Sequence, residues 1–169
     1  MFQVLQIVTI LLVAGAMTPA LAHALEYPGK LRLERDAYVA TQQIYYPGFT
    51  VGGGAAEALA IVATLLLVIV TPTGTVGFWL TLAAFVAMLC MHAVYWLMTH
   101  PVNDFWLKDV ELKGAGRGFF AFDPLGRGRG DMAPDWVALR DQWEVSHMVR
   151  AALSVLALAL LVVAAVLER

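Results

Sequence analysis

Residues 75–99, TVGFWLTLAAFVAMLCMHAVYWLMT, form a run that contains no Lys, Arg, Asp or Glu. A helix needs about 20 mostly apolar residues to cross the hydrocarbon core of a bilayer, so this run predicts a membrane-spanning helix. Three further runs support the same interpretation: 3–27, 53–71 and 138–167. The sequence therefore predicts an all-α, integral membrane four-helix bundle that forms a single domain over residues 1–169.

The composition of the chain agrees with this class. Of its 169 residues, 60% are hydrophobic and only 14% are charged, and the mean hydropathy is +0.73. Soluble domains carry about a quarter charged residues. The single cysteine, Cys90, lies within an apolar run, which excludes an intrachain disulfide framework and a zinc site built from several cysteines.

The first apolar run has a second interpretation. Residues 20–22, Ala-Leu-Ala, have the small-x-small form of a signal-peptidase site, so the residues before them resemble a removable signal peptide. However, residues 1–3, Met-Phe-Gln, supply no basic region, and Thr18-Pro19 interrupts the apolar core that such a signal needs. We therefore expect this run to be retained as the first helix.

Basic residues are concentrated in two of the three connections between the predicted helices. Connection 28–52 contains Lys30, Arg32 and Arg35, and connection 100–137 contains Lys108, Lys113, Arg117, Arg127 and Arg129. By the positive-inside rule both connections face the cytoplasm and both termini face outside. We expect a multi-pass protein of a bacterial inner membrane, with the bilayer as its environment.

The two cytoplasmic connections differ in character. Residues 31–46 alternate apolar and charged positions and predict a short interfacial helix. Residues 114–131, GAGRGFFAFDPLGRGRGD, are glycine-rich but lack the strand and the Gly-Lys-Ser/Thr of a phosphate loop, so we expect no nucleic acid. Contact with anionic lipid headgroups and a merely flexible connection are the two expectations for this segment. Phe119, Phe120 and Phe122 are expected to enter the membrane or to cover a cavity. Aromatic residues at 45, 46, 78, 79, 105 and 106 are predicted at membrane interfaces.

The ionisable side chains of the predicted helices all fall in the half nearest the basic connections. They are His23, Glu26, Glu57, His92, His100, Glu144, His147 and Arg150. The other half of each helix is almost entirely apolar. Charged residues within membrane spans usually face the bundle interior and mark function. We therefore expect a polar site in this half of the bundle.

The spacing of these residues is compatible with a metal or haem site. Glu144 and His147 are three residues apart on one helix face, as are His23 and Glu26, and Glu-x-x-His motifs bind metals in carboxylate-bridged helix bundles. Imidazole and carboxylate ligands suit iron or copper. His92 and His147 lie at similar predicted depth and are placed to bind haem. The predicted metal ligands are His23, Glu26, His92, Glu144 and His147.

Two alternatives use the same residues without a metal. One is a cofactor-free catalytic or ligand-binding cavity. The other is an ion-paired cluster that links the helices, since membrane bundles use polar side chains in this way. In that cluster, His23 would pair with Glu144. Arg150 would pair with Glu57 or Tyr95. The residue pattern leaves the three interpretations open.

Three segments together resemble a known family. They are HALEYPGKLRL at 23–33, THPVNDFWL at 99–107 and WVALRDQWEVSHMVRAAL at 136–153. They contain a Pro-x-Asn after the third helix and a Trp-Glu-x-x-His-x-x-Arg run opening the fourth, formed by Pro101, Asn103, Trp143, Glu144, His147 and Arg150. On these motifs the chain resembles the anthrone oxygenase-like family of small four-helix membrane proteins, over nearly its whole length apart from 111–132.

The resemblance implies oxidation of a tricyclic anthrone to an anthraquinone by dioxygen without a cofactor. The leading hypothesis is therefore a membrane-embedded, oxygen-dependent oxidoreductase that acts on a lipophilic, quinone- or anthrone-like substrate. Alternatives are a haem- or metal-carrying electron-transfer subunit and a non-catalytic accessory subunit of a larger complex. The sequence leaves the oligomeric state open, including a homo-oligomer.

We assign roles to the predicted catalytic residues on chemical grounds. Glu144 or His147 would be the general base that removes an acidic proton from the substrate. Tyr95 would donate a hydrogen bond, and Arg150 would stabilise developing negative charge. The remaining histidines, His23 and His92, would be metal ligands or oxyanion donors.

Overall fold

The computed structural model describes residues 1–107, 122–123, 126 and 135–167, and every regular element in these ranges is helical. The α-helices are α1 (Phe2–Lys30), α2 (Arg35–Ile44), α3 (Gly54–Val70), α4 (Val76–Val94), α5 (His100–Trp106) and α6 (Trp136–Leu167). Two π-helical segments, Gly48–Gly53 and Tyr95–Thr99, run directly into α3 and α5.

Four helical stretches are long and apolar enough to cross a membrane, as the sequence predicts. They are Phe2–Lys30, Gly48–Val70, Val76–Asn103 and Trp136–Leu167. Helix α1 passes through Pro28 and ends at Lys30. This extension places Lys30 on the same face as His23 and Glu26, because residues four and seven apart lie above one another on a helix.

The four long helices form a closed ring. Helix α6 packs along α1 and α4, and α3 also packs along α1 and α4. Small side chains dominate the shared core, which includes Ala16, Ala20, Ala60, Ala84 and Ala157. Such residues let helix backbones approach closely where lipid, and not water, surrounds the bundle.

One glycine permits a close approach between α1 and the segment before α3. A Cβ atom at Gly53 would lie 2.8 Å from Cγ of Pro19, whereas a Cβ at Gly52 would meet nothing within 4 Å. Contacts below about 3 Å between carbon atoms are repulsive, since carbon pairs are optimal at about 3.5–4.0 Å. The helix packing here therefore requires glycine at position 53 and not at 52.

Helix α2 packs its inner face against α5 and the beginning of α6. Tyr38 on α2 lies in an apolar cluster with Val102, Trp106, Leu139 and Trp143. Trp106 is only 2% exposed. The prediction that Trp106 belongs to an interfacial aromatic belt is therefore wrong, because α2 covers this face of α5.

Candidate functional site

The ionisable residues come together at one end of the bundle, where α1 ends, α3 and α6 begin, and α4 continues into α5. A partly enclosed cavity of about 180 Å³ lies there. Of the seven residues predicted for the site, five line the cavity: His23, His92, Tyr95, His147 and Arg150. Glu26 and Glu144 do not line it.

Glu57 on α3 is the centre of the first group of polar contacts. Its Oε2 accepts a hydrogen bond from Arg150 Nη2 at 2.6 Å, and its Oε1 lies 3.0 Å from His92 Nδ1. Trp96 Nε1 donates to His92 Nε2 at 2.9 Å. An indole N–H only donates, so His92 Nε2 accepts and Nδ1 carries the hydrogen donated to Glu57. We call Glu57, His92, His147 and Arg150 the Arg150 cluster.

His147 is held in one tautomer by its own helix. Its Nδ1 lies 2.9 Å from the Trp143 carbonyl oxygen, which only accepts hydrogen bonds, so Nδ1 carries the hydrogen. Its Nε2 keeps a lone pair and lies 3.4 Å from Arg150 Nη1. The buried imidazole therefore presents a proton acceptor beside a guanidinium at the cavity wall.

Arg150 is fixed by a carboxylate and an aromatic ring. Besides its bond to Glu57, its guanidinium carbon lies 5.3 Å from the centroid of the Tyr95 ring. This confirms the predicted pairing of Arg150 with Glu57, and it places Tyr95 against the same cation. A planar guanidinium suits this arrangement because it can bind a carboxylate edge and stack on a ring at once.

A second buried cation, Lys30, is the centre of a separate group. Its Nζ lies 3.1 Å from His23 Nδ1, 3.1 Å from Glu26 Oε2 and 3.6 Å from Glu144 Oε1. Tyr38 donates its hydroxyl hydrogen to Glu144 Oε1 at 2.7 Å. Lys30 is 3% exposed and Glu144 is fully buried. We call Lys30, Glu26, Glu144 and Tyr38 the Lys30 cluster.

This geometry corrects one predicted pairing. His23 and Glu144 do not pair directly, because the ammonium of Lys30 contacts both. An ammonium has three donors and no acceptor, which matches its three neighbours. Since Lys30 can only donate to His23 Nδ1, the His23 hydrogen is on Nε2. His23 thus lies between the Lys30 cluster and the cavity.

Two tyrosines that follow α1 in the chain donate hydrogen bonds to the carboxylates of the Lys30 cluster. Tyr45 donates to Glu26 Oε2 at 2.5 Å, and its ring centroid lies 4.9 Å from Lys30 Nζ. Burial, together with the neighbouring carboxylates, raises the pKa of Tyr38 and of Tyr45 well above the ordinary phenol value of 10.0. Both phenols therefore remain protonated donors at neutral pH.

The predicted metal ligands do not surround a common point. His23, Glu26 and Glu144 face the ammonium of Lys30, and the other two belong to the Arg150 cluster. Within the described ranges, no three His, Cys, Asp or Glu side chains are arranged to hold a metal ion. Fixed cations already neutralise the buried carboxylates. The described residues thus do not offer three such ligands to one iron or copper ion. The iron, copper or haem site stays a prediction.

Sequence reasoning missed Lys30, Tyr38, Gln42 and Tyr45. A signal for each was present in the sequence. Lys30 follows Glu26 by four residues, which places the two on one helix face. Tyr38, Gln42 and Tyr45 recur at spacings of four and three, which gives α2 one continuous face. What that face contacts depends on the packing of α2 against α5 and α6.

The two short motifs noted in the sequence contact each other. Trp143 Nε1 donates to Asn103 Oδ1 at 3.0 Å, and Thr99 Oγ1 lies 2.9 Å from Ser146 Oγ. The hydrogen bonds join the continuation of α4 to the first turns of α6. This junction fixes the position of Trp143, whose ring lies 3.9 Å from that of His147.

Part of the glycine-rich connection lies near the cavity wall. The ring of Phe122 packs edge-on against Trp96 at 5.6 Å, and Trp96 lines the cavity. The predictions for Phe119 and Phe120 fall outside the described residues. For most of residues 114–131 the expectation of lipid contact therefore stays a prediction.

Comparison with known proteins addresses the resemblance directly. The model of the family described as anthrone oxygenase matches residues 42–160, which is more than half of the chain. No curated protein and no solved structure matches the chain. The match begins near the end of α2, covers α3, α4 and α5, ends within α6, and includes both contacting motifs. The chain therefore belongs to the anthrone oxygenase family.

Proposed function

We propose that the protein is a membrane-embedded oxidoreductase that uses dioxygen to oxidise a flat, lipophilic, anthrone- or quinol-like substrate in the cavity. The observation that carries this proposal is the pair formed by His147 and Arg150. An imidazole nitrogen with a lone pair and a guanidinium lie 3.4 Å apart at the wall of one cavity. Membership of the anthrone oxygenase family supports the reaction class.

The reaction begins with a proton transfer. His147 Nε2 removes a proton from the methylene carbon of an anthrone, and the electron pair moves to the carbonyl oxygen. Dioxygen then accepts two electrons as a C–O bond forms at the methylene carbon, and the imidazolium returns its proton to give a hydroperoxide. Loss of the second methylene proton breaks the O–O bond. The products are an anthraquinone and one water.

Arg150 stabilises the negative charge that develops on the carbonyl oxygen. A preformed donor aimed at such an oxygen contributes most in a site that excludes water. Glu57 and the Tyr95 ring hold the guanidinium in place, so it needs no rearrangement during the reaction. His92 positions Glu57 and is not a free oxyanion donor, because its Nδ1–H is already bonded to the carboxylate.

Glu144 is not the base in this proposal, although the sequence made it a candidate equal to His147. It is fully buried, does not line the cavity, and already contacts Lys30 and Tyr38. We assign it a structural role. Of the predicted catalytic residues, His147, Arg150 and Tyr95 remain in the proposed site.

The proposed topology follows the basic residues. Both termini face outside, the cavity lies in the cytoplasmic half of a bacterial inner membrane, and α2 lies along the cytoplasmic interface. A substrate of this type dissolves in the bilayer, so it can enter from the lipid. The whole chain acts as one transmembrane domain, either alone or as a homo-oligomer.

The test uses protein in lipid nanodiscs with anthrone and dioxygen. Oxygen uptake and anthraquinone formation are measured above the autoxidation rate without protein. We expect His147→Gln to lower kcat by about 10²–10⁴-fold, the usual contribution of a general base. Ser154→Ala is the matched control, because Ser154 is buried on the same helix and bonds only backbone carbonyls. Normal turnover by the His147 variant would falsify the proposal.

A metal-dependent reaction is tested on the same samples. Elemental analysis and an optical spectrum are recorded for the wild type and for His147→Gln, purified without chelator. We expect turnover without stoichiometric iron or copper. A Soret band with no turnover of anthrone would instead indicate the electron-transfer alternative.

A further inference from the structure

Gln42 on α2 is a buried amide without a hydrogen-bonding partner among the described residues. It is 4% exposed, and neither Nε2 nor Oε1 has a partner there. The side chain lines the cavity. An unsatisfied buried polar group is unfavourable, so it needs an explanation.

Trp106 on α5 presents a second unpartnered group to the same cavity. Its Nε1–H has no partner in the described part of the chain, and the residue is 2% exposed. Its ring lies 5.1 Å from that of Tyr38, and Gln42 is one turn after Tyr38 on the same face of α2. Gln42 and Trp106 are therefore neighbours on one side of the cavity.

Three other polar side chains that line the cavity are already paired. Glu57 bonds Arg150 and His92, Asn103 accepts from Trp143, and Thr99 contacts Ser146. Gln42 and Trp106 differ from these residues because their side-chain donors and acceptor have no partner among the described residues. Two kinds of donor and one acceptor are complementary to ring hydroxyl groups, which both donate and accept hydrogen bonds.

These two residues belong to a different part of the cavity wall from the proposed reacting centre. Trp106 follows Tyr95 by eleven residues along one continuous helix, which corresponds to a rise of roughly 16 Å along the helix axis, whereas Arg150 stacks on Tyr95. Trp143 lies between the two groups, because it packs in one cluster with Trp106 and its ring centroid lies 3.9 Å from that of His147. The lining between them is largely aromatic, including Trp96 and Trp143.

We propose that Gln42 and Trp106 form a second binding subsite that recognises ring hydroxyl groups of the substrate, apart from the carbonyl oxygen that Arg150 contacts. The Gln42 amide and the Trp106 indole donate to substrate oxygens, and Gln42 Oε1 accepts from a ring hydroxyl. This inference rests on the proposed function for the class of ligand, but the subsite is tested by binding alone.

The experiment compares two quinone ligands that differ only in ring hydroxyls. Equilibrium dialysis into nanodiscs measures the Kd of 2,6-dihydroxyanthraquinone, whose hydroxyls are not bonded to its own carbonyls, and of anthraquinone, corrected for partitioning into empty nanodiscs. We expect the wild type to prefer the hydroxylated ligand by about tenfold or more, because a buried pair left unsatisfied disfavours the other ligand. We expect Gln42→Leu to remove this preference, and Trp106→Phe to reduce it.

Matched controls separate recognition from folding. Gln43→Leu is the same change one position along α2, at a residue that does not line the cavity, and it should keep the preference. Gln42→Leu removes an unpartnered polar group, so its Tm without ligand should equal or exceed that of the wild type. Its Tm should also no longer rise when the hydroxylated ligand is added.

Each outcome supports or overturns the subsite. Equal wild-type affinity for the two ligands, no binding of either ligand, or a preference that survives Gln42→Leu would overturn it. A preference lost only in the subsite variants supports it. If that preference is found while anthrones are not oxidised, the subsite stands and the proposed function fails.

Discussion

The Arg150 cluster and the Lys30 cluster are built from the same kinds of residue and differ in what they face. Each has one buried cation that is paired with at least one carboxylate and contacts a histidine. Arg150 and His147 line the cavity, whereas Lys30 and Glu144 do not. Chemical composition alone therefore does not separate a candidate active site from a structural link. Contact with the cavity is what distinguishes the two clusters.

The two cations also differ in how many of their hydrogen-bond donors already have a partner. Lys30 has three polar neighbours for its three donors. Arg150 donates to Glu57 and contacts His147 only at 3.4 Å, and its Nε has no partner among the residues that the structure describes. A saturated ammonium is suited to hold α1, α2 and α6 together. A guanidinium with remaining donors is suited to bind a ligand.

The largest expected effect is a loss of stability when the Lys30 cluster loses its cation. Lys30→Met leaves the fully buried Glu144 without its cation, and breaking a buried ion pair in this way costs about 3–5 kcal/mol. We expect the free energy of unfolding in mild detergent to fall by that amount. Adding Glu144→Gln should recover much of the loss, because no unpaired charge then remains. A stable Lys30→Met protein that has lost turnover would mean that the cluster takes part in catalysis.

The next effect is on catalysis in the Arg150 cluster. Arg150→Lys keeps a positive charge beside Glu57 but loses the planar fork, so we expect kcat to fall by about 10²-fold or more. The Tm should change little, since the carboxylate stays paired. Lys30→Arg is the reciprocal control, and its kcat should stay near that of the wild type. Unchanged kcat in Arg150→Lys would contradict the proposed role of the guanidinium.

A smaller effect is expected for the phenol of the Lys30 cluster. Tyr38→Phe removes a hydrogen bond to a buried carboxylate, and bonds to charged groups contribute about 1.5–3 kcal/mol. We expect the free energy of unfolding to fall by that amount while kcat and KM stay constant. Tyr27→Phe, at a half-buried tyrosine of α1, should change stability by less than about 0.5 kcal/mol. A selective loss of kcat in Tyr38→Phe would place it in the reaction.

The smallest effect concerns the close contact between position 53 and Pro19. Gly53→Ala forces a methyl group against Pro19, and such overpacking costs about 1–3 kcal/mol, of which we expect the lower part because the proline ring can shift. Gly52→Ala faces open space and should stabilise slightly, since alanine favours a helix over glycine. Thermal unfolding of the two variants measures the difference. Equal Tm values would show that the contact is not tight.

Much of the architecture could be predicted from the sequence. The length and apolarity of four runs predicted the four long helices, because an isolated bilayer-spanning segment must satisfy its own backbone hydrogen bonds. The gathering of His92, His147 and Arg150 at one end followed from their depth along each helix. Short motifs also indicated the family that residues 42–160 match.

Which side chains meet was not predictable in the same way. Glu144 and His147 are three residues apart and share a helix face, yet Glu144 contacts α1 and α2 while His147 lines the cavity. The two side chains point about 60° apart around the helix axis. The positions of the neighbouring helices determine that one direction faces α1 and α2 and the other faces the cavity. Lys30 was overlooked because the sequence places it in the predicted connection 28–52. In the structure it belongs to the last turn of α1 and is buried inside the bundle.

The sequence by itself determined the membrane class, the four spans, the sorting of polar residues to one end and the family. These properties depend on hydropathy and on spacing along a single helix, which are local. The tertiary structure alone decided that Lys30 stands between His23 and Glu144, and that Gln42 and Trp106 line the cavity. Those contacts join residues distant in sequence, and they depend on how α2 and the four long helices pack.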